Sequence, residues 1–310
     1  MKIKINLKPR KPAGFRGVLI LLGLAFLTYA LFTRGSVPWI KPVKTPSRAY
    51  TASTIPTPPV VRPVEKPREV AAPARVQAPI WPKVPSTRPK IAIVIDDIGH
   101  TANDLSLLRR LGNQVTYAIL PLLAYSQYFG ELSQETGAEV ILHLPMQSET
   151  GTIPGPGLIT DRMPEDYVRE ILNHNLNSVP YHTGVNNHMG SRGTANPALM
   201  KIILQELKKR RLFFLDSFTT PSSVGVSVAN SMKVPSLKRD IFLDNIDTQE
   251  AVREKLRELA AIARQNGFAV GIGHYRYNTL TVLNEEIPQL WDAGFEMVSL
   301  SDMIRSKKAA

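Results

Sequence analysis

The chain contains no cysteine. Disulfides, thiolate zinc sites, a cysteine nucleophile and a thioether lipid anchor are therefore excluded. Acids are almost missing from the first 90 of the 310 residues, where 17 Lys and Arg meet only Glu65 and Glu69. The rest of the chain holds 21 basic and 24 acidic side chains, so the formal net charge of +12 belongs to a tail. Aromatics make up only 7% of the residues, and the mildly acidic body has no basic patch with aromatics interleaved. That argues against a nucleic-acid partner. Long apolar runs are missing as well, with one exception near the start.

That exception is the uncharged stretch 17–33, preceded by Lys2, Lys4, Lys8, Arg10, Lys11 and Arg16 and closed by Arg34. Its 17 residues lie at the short end of what spans a bilayer. A cleavable signal peptide shares this layout, but Thr28 and Ala30 make a poor cleavage site, which favours an uncleaved anchor. The expected organisation is a basic cytoplasmic segment 1–16, a single-pass inner-membrane anchor 17–33, and an exported remainder in the periplasm or extracytoplasmic space. Residues 38–90 carry 13 of the 25 prolines and little hydrophobic periodicity. The segment 34–89 therefore reads as a disordered, extended linker, and a folded domain is expected over 90–310.

Within that domain strand and helix patterns alternate. Strand-like runs fall at 91–95, 115–120, 139–144, 184–188, 212–215, 240–243, 268–272 and 295–300. Helical patterns lie between them, including Pro197–Arg211 and Thr248–Asn266, the latter ended by Gly267. Alternating β and α with short turns predicts a parallel sheet, and this number of units in about 220 residues suits an irregular β/α barrel.

Chemistry gathers at the strand ends. Ile91-Ala-Ile-Val-Ile-Asp96-Asp97-Ile-Gly99-His100 is a buried-strand pattern that stops in two adjacent carboxylates. Such a pair is tolerated where a metal or a shared proton offsets the repulsion. The plain alternative is a solvated strand end with an Asp cap for a following helix. His143 closes Val-Ile-Leu-His143, Asn186, Asn187 and His188 end the next strand, Asp216 follows Phe-Phe-Leu, and His274 ends Val-Gly-Ile-Gly-His274. Asp and His collected on the C-terminal rim of a barrel, without thiols, form a ligand set for zinc or another first-row divalent ion. His100, His174 and His182 read as capping or surface residues. Asp216 and Asp240 are candidates for orienting the histidines, with ordinary turn or ion-pair roles, such as Asp240 with Arg239, equally open.

The Asp96-Asp97 opening, His143-Leu-Pro-Met, Asn-Asn-His188-Met-Gly-Ser, Phe-Leu-Asp216-Ser, Arg239-Asp-Ile-Phe-Leu-Asp244 and Gly-Ile-Gly-His274 together resemble the divergent polysaccharide deacetylases, outlying relatives of the NodB-type carbohydrate esterases. The resemblance runs in order over about 90–305. It implies an irregular β/α barrel with a divalent metal, zinc first among candidates, on its rim. It also implies Asp96 as general base, Asp97 and His143 as metal ligands, and His274 as general acid. At the parent group's second histidine of a His-x-x-x-His turn this chain has Gln147, and His188 is the candidate replacement ligand. The parent group's Arg-x-Pro-Tyr element has no clear match, Arg192 being a loose substitute. The implied activity is removal of N-acetyl groups from an envelope polysaccharide by metal-activated water. Two alternatives stay open: another amide hydrolysis on peptidoglycan, and a degraded barrel that binds a glycan or a protein of the cell-wall machinery.

Overall fold

The chain divides into two units, Met1–Pro73 and Ala74–Ala310. The computed structural model describes residues 88–309, all within the second unit. The expected basic segment, anchor and nearly all of the linker lie outside the described residues. No helix among the described residues is long and apolar enough to cross a membrane.

Nine strands and eight α-helices alternate along the described chain. β1 (Lys90–Ile98) leads to α1 (Leu105–Leu111), β2 (Thr116–Ile119) to α2 (Ser126–Thr136), and β3 (Glu139–Met146) to α3 (Glu165–Ser178). β4 (His182–Met189), α4 (Pro197–Arg210), β5 (Phe213–Asp216), α5 (Gly225–Ser231) and β6 (Ser236–Lys238) follow. The remainder is β7 (Ile241–Phe242), α6 (Gln249–Asn266), β8 (Phe268–His274), α7 (Tyr277–Asp292), β9 (Glu296–Met297) and α8 (Leu300–Ala309). Local sequence explains the boundaries. Asn196 accepts the amides of Ala198 and Leu199 and starts α4 with Pro197 at its first turn. Thr248 caps α6, and Gly267, at φ 81, releases it into β8.

All the strand pairs are parallel, in the order β6-β5-β4-β3-β2-β1-β8-β7. β6 and β7 stand at opposite ends of that order, yet only Arg239 and Asp240 separate them in the chain. The sheet therefore curls until its two ends are joined by one short bent segment. Its first part pairs with β5 and its second with β8. β8 occupies one edge of β1 from Lys90 to Asp96, so β2 and the two-residue β9 share the other edge.

Strand alternation sorts the core into two layers. Ala92, Val94, Ile141, Leu215, Val270 and Ile272 fill the inside of the curl, whereas Ile91, Ile93, Ile95, Val140 and Leu142 face the helices. Leu300 and Met303 of α8 join the inner layer. The Glu139 carboxylate accepts the Leu300 amide at 2.8 Å and the Ser301 amide at 3.2 Å, capping α8 where its dipole favours a negative charge. α8 thus closes the end of the curl at which the strands begin, leaving the opposite rim open for the polar residues.

Three expectations change. The run 295–300 is a strand only at Glu296–Met297, because Leu300 opens a helix whose apolar face the inner core needs. The run 240–243 pairs only at Ile241–Phe242. β6 was unforeseen, a three-residue strand of Ser-Leu-Lys that only Leu237 anchors in the core.

Candidate metal and acid–base site

The inward phase that buries Ala92 and Val94 carries on to Asp96, and the phase of Ile141 and Ile272 carries on to His143 and His274. Register does the rest: Asp96 stands beside His274, His143 beside Asn186, and Pro145 beside His188. Asp97, one step beyond an inward residue, would point outward in a regular strand. A register shift between Ile95 and Ile98 and a left-handed backbone at Asp97 (φ 63) turn it back onto the rim.

Asp97, His143 and His188 converge. Asp97 Oδ1 lies 3.2 Å from His143 Nε2 and 3.0 Å from His188 Nδ1, and the two ring nitrogens are 3.0 Å apart. Ligands about 2.0–2.1 Å from a zinc ion sit about 2.9 Å apart when octahedral and about 3.3 Å apart when tetrahedral, so the triangle has the size of one face of a metal shell. Asp97 Oδ1 is a buried oxygen without a hydrogen-bond donor of its own. The donor set fits a divalent ion.

Asn186 decides how His143 meets that triangle. Its Nδ2 donates to Asp96 Oδ1 at 2.9 Å and to Ser217 Oγ at 3.1 Å, so its Oδ1 faces His143 Nδ1 at 2.8 Å. His143 must then carry its proton on Nδ1, and Nε2 presents a lone pair to Asp97, which also offers only lone pairs. A cation or a proton is needed between them. The titration behaviour follows. Burial works against a charged His143, but Asp96 and Asp97 hold its pKa above the ordinary value. Burial likewise opposes ionisation of Asp97, yet the imidazoles of His143 and His188 hold it far below the usual carboxylate range. Asp96, buried and facing fewer donors, is pushed up by desolvation.

A second pair stands across the rim. Asp244 Oδ1 accepts from His274 Nδ1 at 2.7 Å, and its Oδ2 accepts the His274 amide at 2.7 Å and the Thr279 hydroxyl at 2.6 Å. Burial disfavours both charges, but each partner outweighs it: Asp244 is lowered and His274 raised. Asp244 is the residue that sequence reasoning missed, although it closes the quoted Arg239-Asp-Ile-Phe-Leu-Asp244 run. Its signal was its place after an apolar strand, the same one that marked Asp96.

The other candidates have structural duties. Asp216 accepts the Phe218 amide and the Ser223 hydroxyl, which shapes the loop after β5. Asp240 accepts the Val270 amide on β8. Arg239 makes no ion pair with Asp240. It donates to the carbonyls of Ser217 and Phe218 and lies over the Phe242 ring. Gln147 is turned away from the triangle, its Oε1 taking the Asp161 amide while its carbonyl accepts Arg192 and Gly193. Arg192 pairs with Asp161 at 2.8 Å. His100 and His174 are exposed, and His182 Nδ1 contacts the Val179 carbonyl.

The family model for the divergent polysaccharide deacetylases matches residues 93–304, and the chain belongs to that family. Among curated relatives it is 32% identical over 219 residues to an uncharacterized protein of Haemophilus influenzae, covering 71% of this chain and 78% of that one. It is 31% identical over 201 residues to the uncharacterized protein YibQ of Escherichia coli K12, covering 65% of this chain and 63% of that one. Among solved structures, an uncharacterized protein of Agrobacterium tumefaciens C58 shares the fold with a TM-score of 0.68 and 24% identity, covering 72% of this chain and 92% of that one.

Proposed function

We propose that this protein is a metal-dependent hydrolase of the cell envelope that removes N-acetyl groups from a polysaccharide. The observation that carries the reading is the convergence of Asp97, His143 and His188 between a buried carboxylate, Asp96, and a carboxylate-backed imidazole, His274. A divalent ion, zinc first among candidates, held by Asp97 Oδ1, His143 Nε2 and His188 Nδ1 would supply Lewis acidity toward the acetamide oxygen and acidify water at the rim.

The chain's own groups divide the proton work. Asp96 is the base: desolvation raises its proton affinity, bringing it closer to the pH at which general bases are effective. Asn186 keeps Asp96 and His143 in fixed relation, one amide bonding to both. His274 is the acid. With Nδ1 committed to Asp244, the imidazolium can release only its Nε2 proton, to the amine that leaves. The linker and anchor expected upstream would hold this domain beyond the inner membrane, within reach of an N-acetylated envelope glycan.

The deciding experiment measures bound metal and acetate release from N-acetylated glycans for the wild type and for Asp96→Asn. Retained metal with acetate release lost in the variant is the expected result. Full activity in Asp96→Asn overturns the assignment of the base. Gln147 favours a second reading, a barrel that binds a glycan or a cell-wall protein without cleaving it, because the position of a ligand in the parent group has been given to loop structure. Glycan binding without acetate release by the metal-loaded wild type would select that reading.

A further inference from the structure

Arg239 is a half-buried cation whose hydrogen bonds go only to neutral carbonyls. Nε donates to Ser217 O at 2.7 Å and Nη2 to Phe218 O at 2.9 Å. It forms no ion pair among the described residues, although a guanidinium removed from water ordinarily takes a carboxylate partner. Its central carbon lies 3.5 Å from the centre of the Phe242 ring, and that ring is stacked with the His274 imidazole at 20° between planes and 5.9 Å between centres. The carbonyls that hold Arg239 lead back to the other half of the site. Ser217 receives Asn186 Nδ2 on its hydroxyl, and its amide donates to Asn187 Oδ1.

We infer that Arg239 and Phe242 are positioning residues that clamp the plane of the His274 imidazole and tie the proton donor to the metal-binding half of the rim, across the join between β6 and β7. The inference rests on the proposed role of His274 as acid. The bond to Asp244 fixes the direction of Nδ1 but leaves the ring free to swing about that contact, and with it the aim of Nε2. A flat neighbour removes the swing. Phe242 supplies the face, and the guanidinium, forked onto two successive carbonyls, holds Phe242 in turn. A lysine could not do this, having neither the plane nor the fork. The location accounts for the residue type. β6 and β7 do not bond to each other, so the join has no ladder to carry orientation from β5 to β8, and Arg239 takes that part.

The test separates aim from fold. Proton donation matters for an amine leaving group and hardly at all for a nitrophenolate. N-acetylglucosamine oligomers and 4-nitrophenyl acetate are therefore compared in wild type, Phe242→Leu, Arg239→Leu and Phe242→Tyr, with folding checked by circular dichroism. The clamp predicts that kcat on the oligomers falls about tenfold more than the rate on the aryl ester in the two leucine variants, with KM little changed, and that Phe242→Tyr restores it. The Nδ1 proton of His274, followed by NMR and assigned through His274→Gln, should exchange with water at least about tenfold faster in the leucine variants. Equal losses on both substrates, or an unchanged exchange rate, overturn the clamp. If the wild type hydrolyses neither substrate, the hydrolase reading falls, and the exchange measurement alone decides the clamp.

Discussion

His143 and Asn186 face each other across neighbouring strands, Nδ1 to Oδ1 at 2.8 Å, and this contact selects the ring nitrogen left for a metal. An alanine at 186 frees the tautomer and removes a donor from Asp96 as well. Asn186→Ala should therefore weaken divalent-ion affinity about 10–100-fold, measured by calorimetric titration, with the fold intact.

Ion binding to the folded state alone raises stability by mass action, about 2.7 kcal/mol at a hundredfold excess over Kd. Added zinc should raise Tm in the wild type, and chelator should reverse the rise. His143→Ala and His188→Ala each remove one corner of the ligand triangle and should abolish the response.

The Asp244–His274 pair predicts a pH dependence with a definite sign. His274 is raised above its ordinary 6.5, so its share of stability is complete below pH 6.5 and is lost as pH climbs through the folded value. Asp244 is lowered beneath 3.8, so its share is present above pH 3.8 and is lost as pH falls through the folded value. The Tm gap between wild type and Asp244→Asn should be widest between those two values and shrink on either side. If His274 is the acid, the alkaline limb of the activity profile should move to lower pH in the same variant. There burial, which disfavours the imidazolium, is opposed only by Asp96 and Asp97, the hydrogen-bonded carboxylate being gone.

Gly184 sits inside the curl, two residues before Asn186. A Cβ there would lie 2.4–2.6 Å from the Phe213 ring. Neither side can yield, since the ring belongs to the inner core. Gly184→Ala should cost about 1–3 kcal/mol, read by denaturant unfolding, whereas Gly267→Ala meets no atom and strains only its φ of 81°.

Much of this was legible because strand phase and residue type agree. Ala92, Val94 and Asp96 share a face, so an apolar run that ends in a carboxylate on its inward phase already placed that carboxylate on the rim. The same logic marked His143, His188 and His274. Asp244 escaped because its strand is only two residues long, which weakens the strand-end signal, and because its partner His274 lies thirty residues away. Resemblance marked Asp97 as a candidate ligand, but the irregularity that aims it inward has no sequence signature. The register of β1 against β2 and β8 is set by packing of the whole sheet. The short apolar run 295–300 suits a strand or a helix equally, and only the need to close the inner core decides it.

The left-handed backbone at Asp97 carries a consequence for descent. An L-residue with a Cβ is held there at a cost of about 1–2 kcal/mol, which a glycine would avoid and an asparagine would lessen. If the proposed ion holds Asp97 in place, a lineage that lost it should drift at this position toward Gly or Asn while the barrel gained stability. Position 97 would then record, in a sequence alone, where the proposed ion site had been given up.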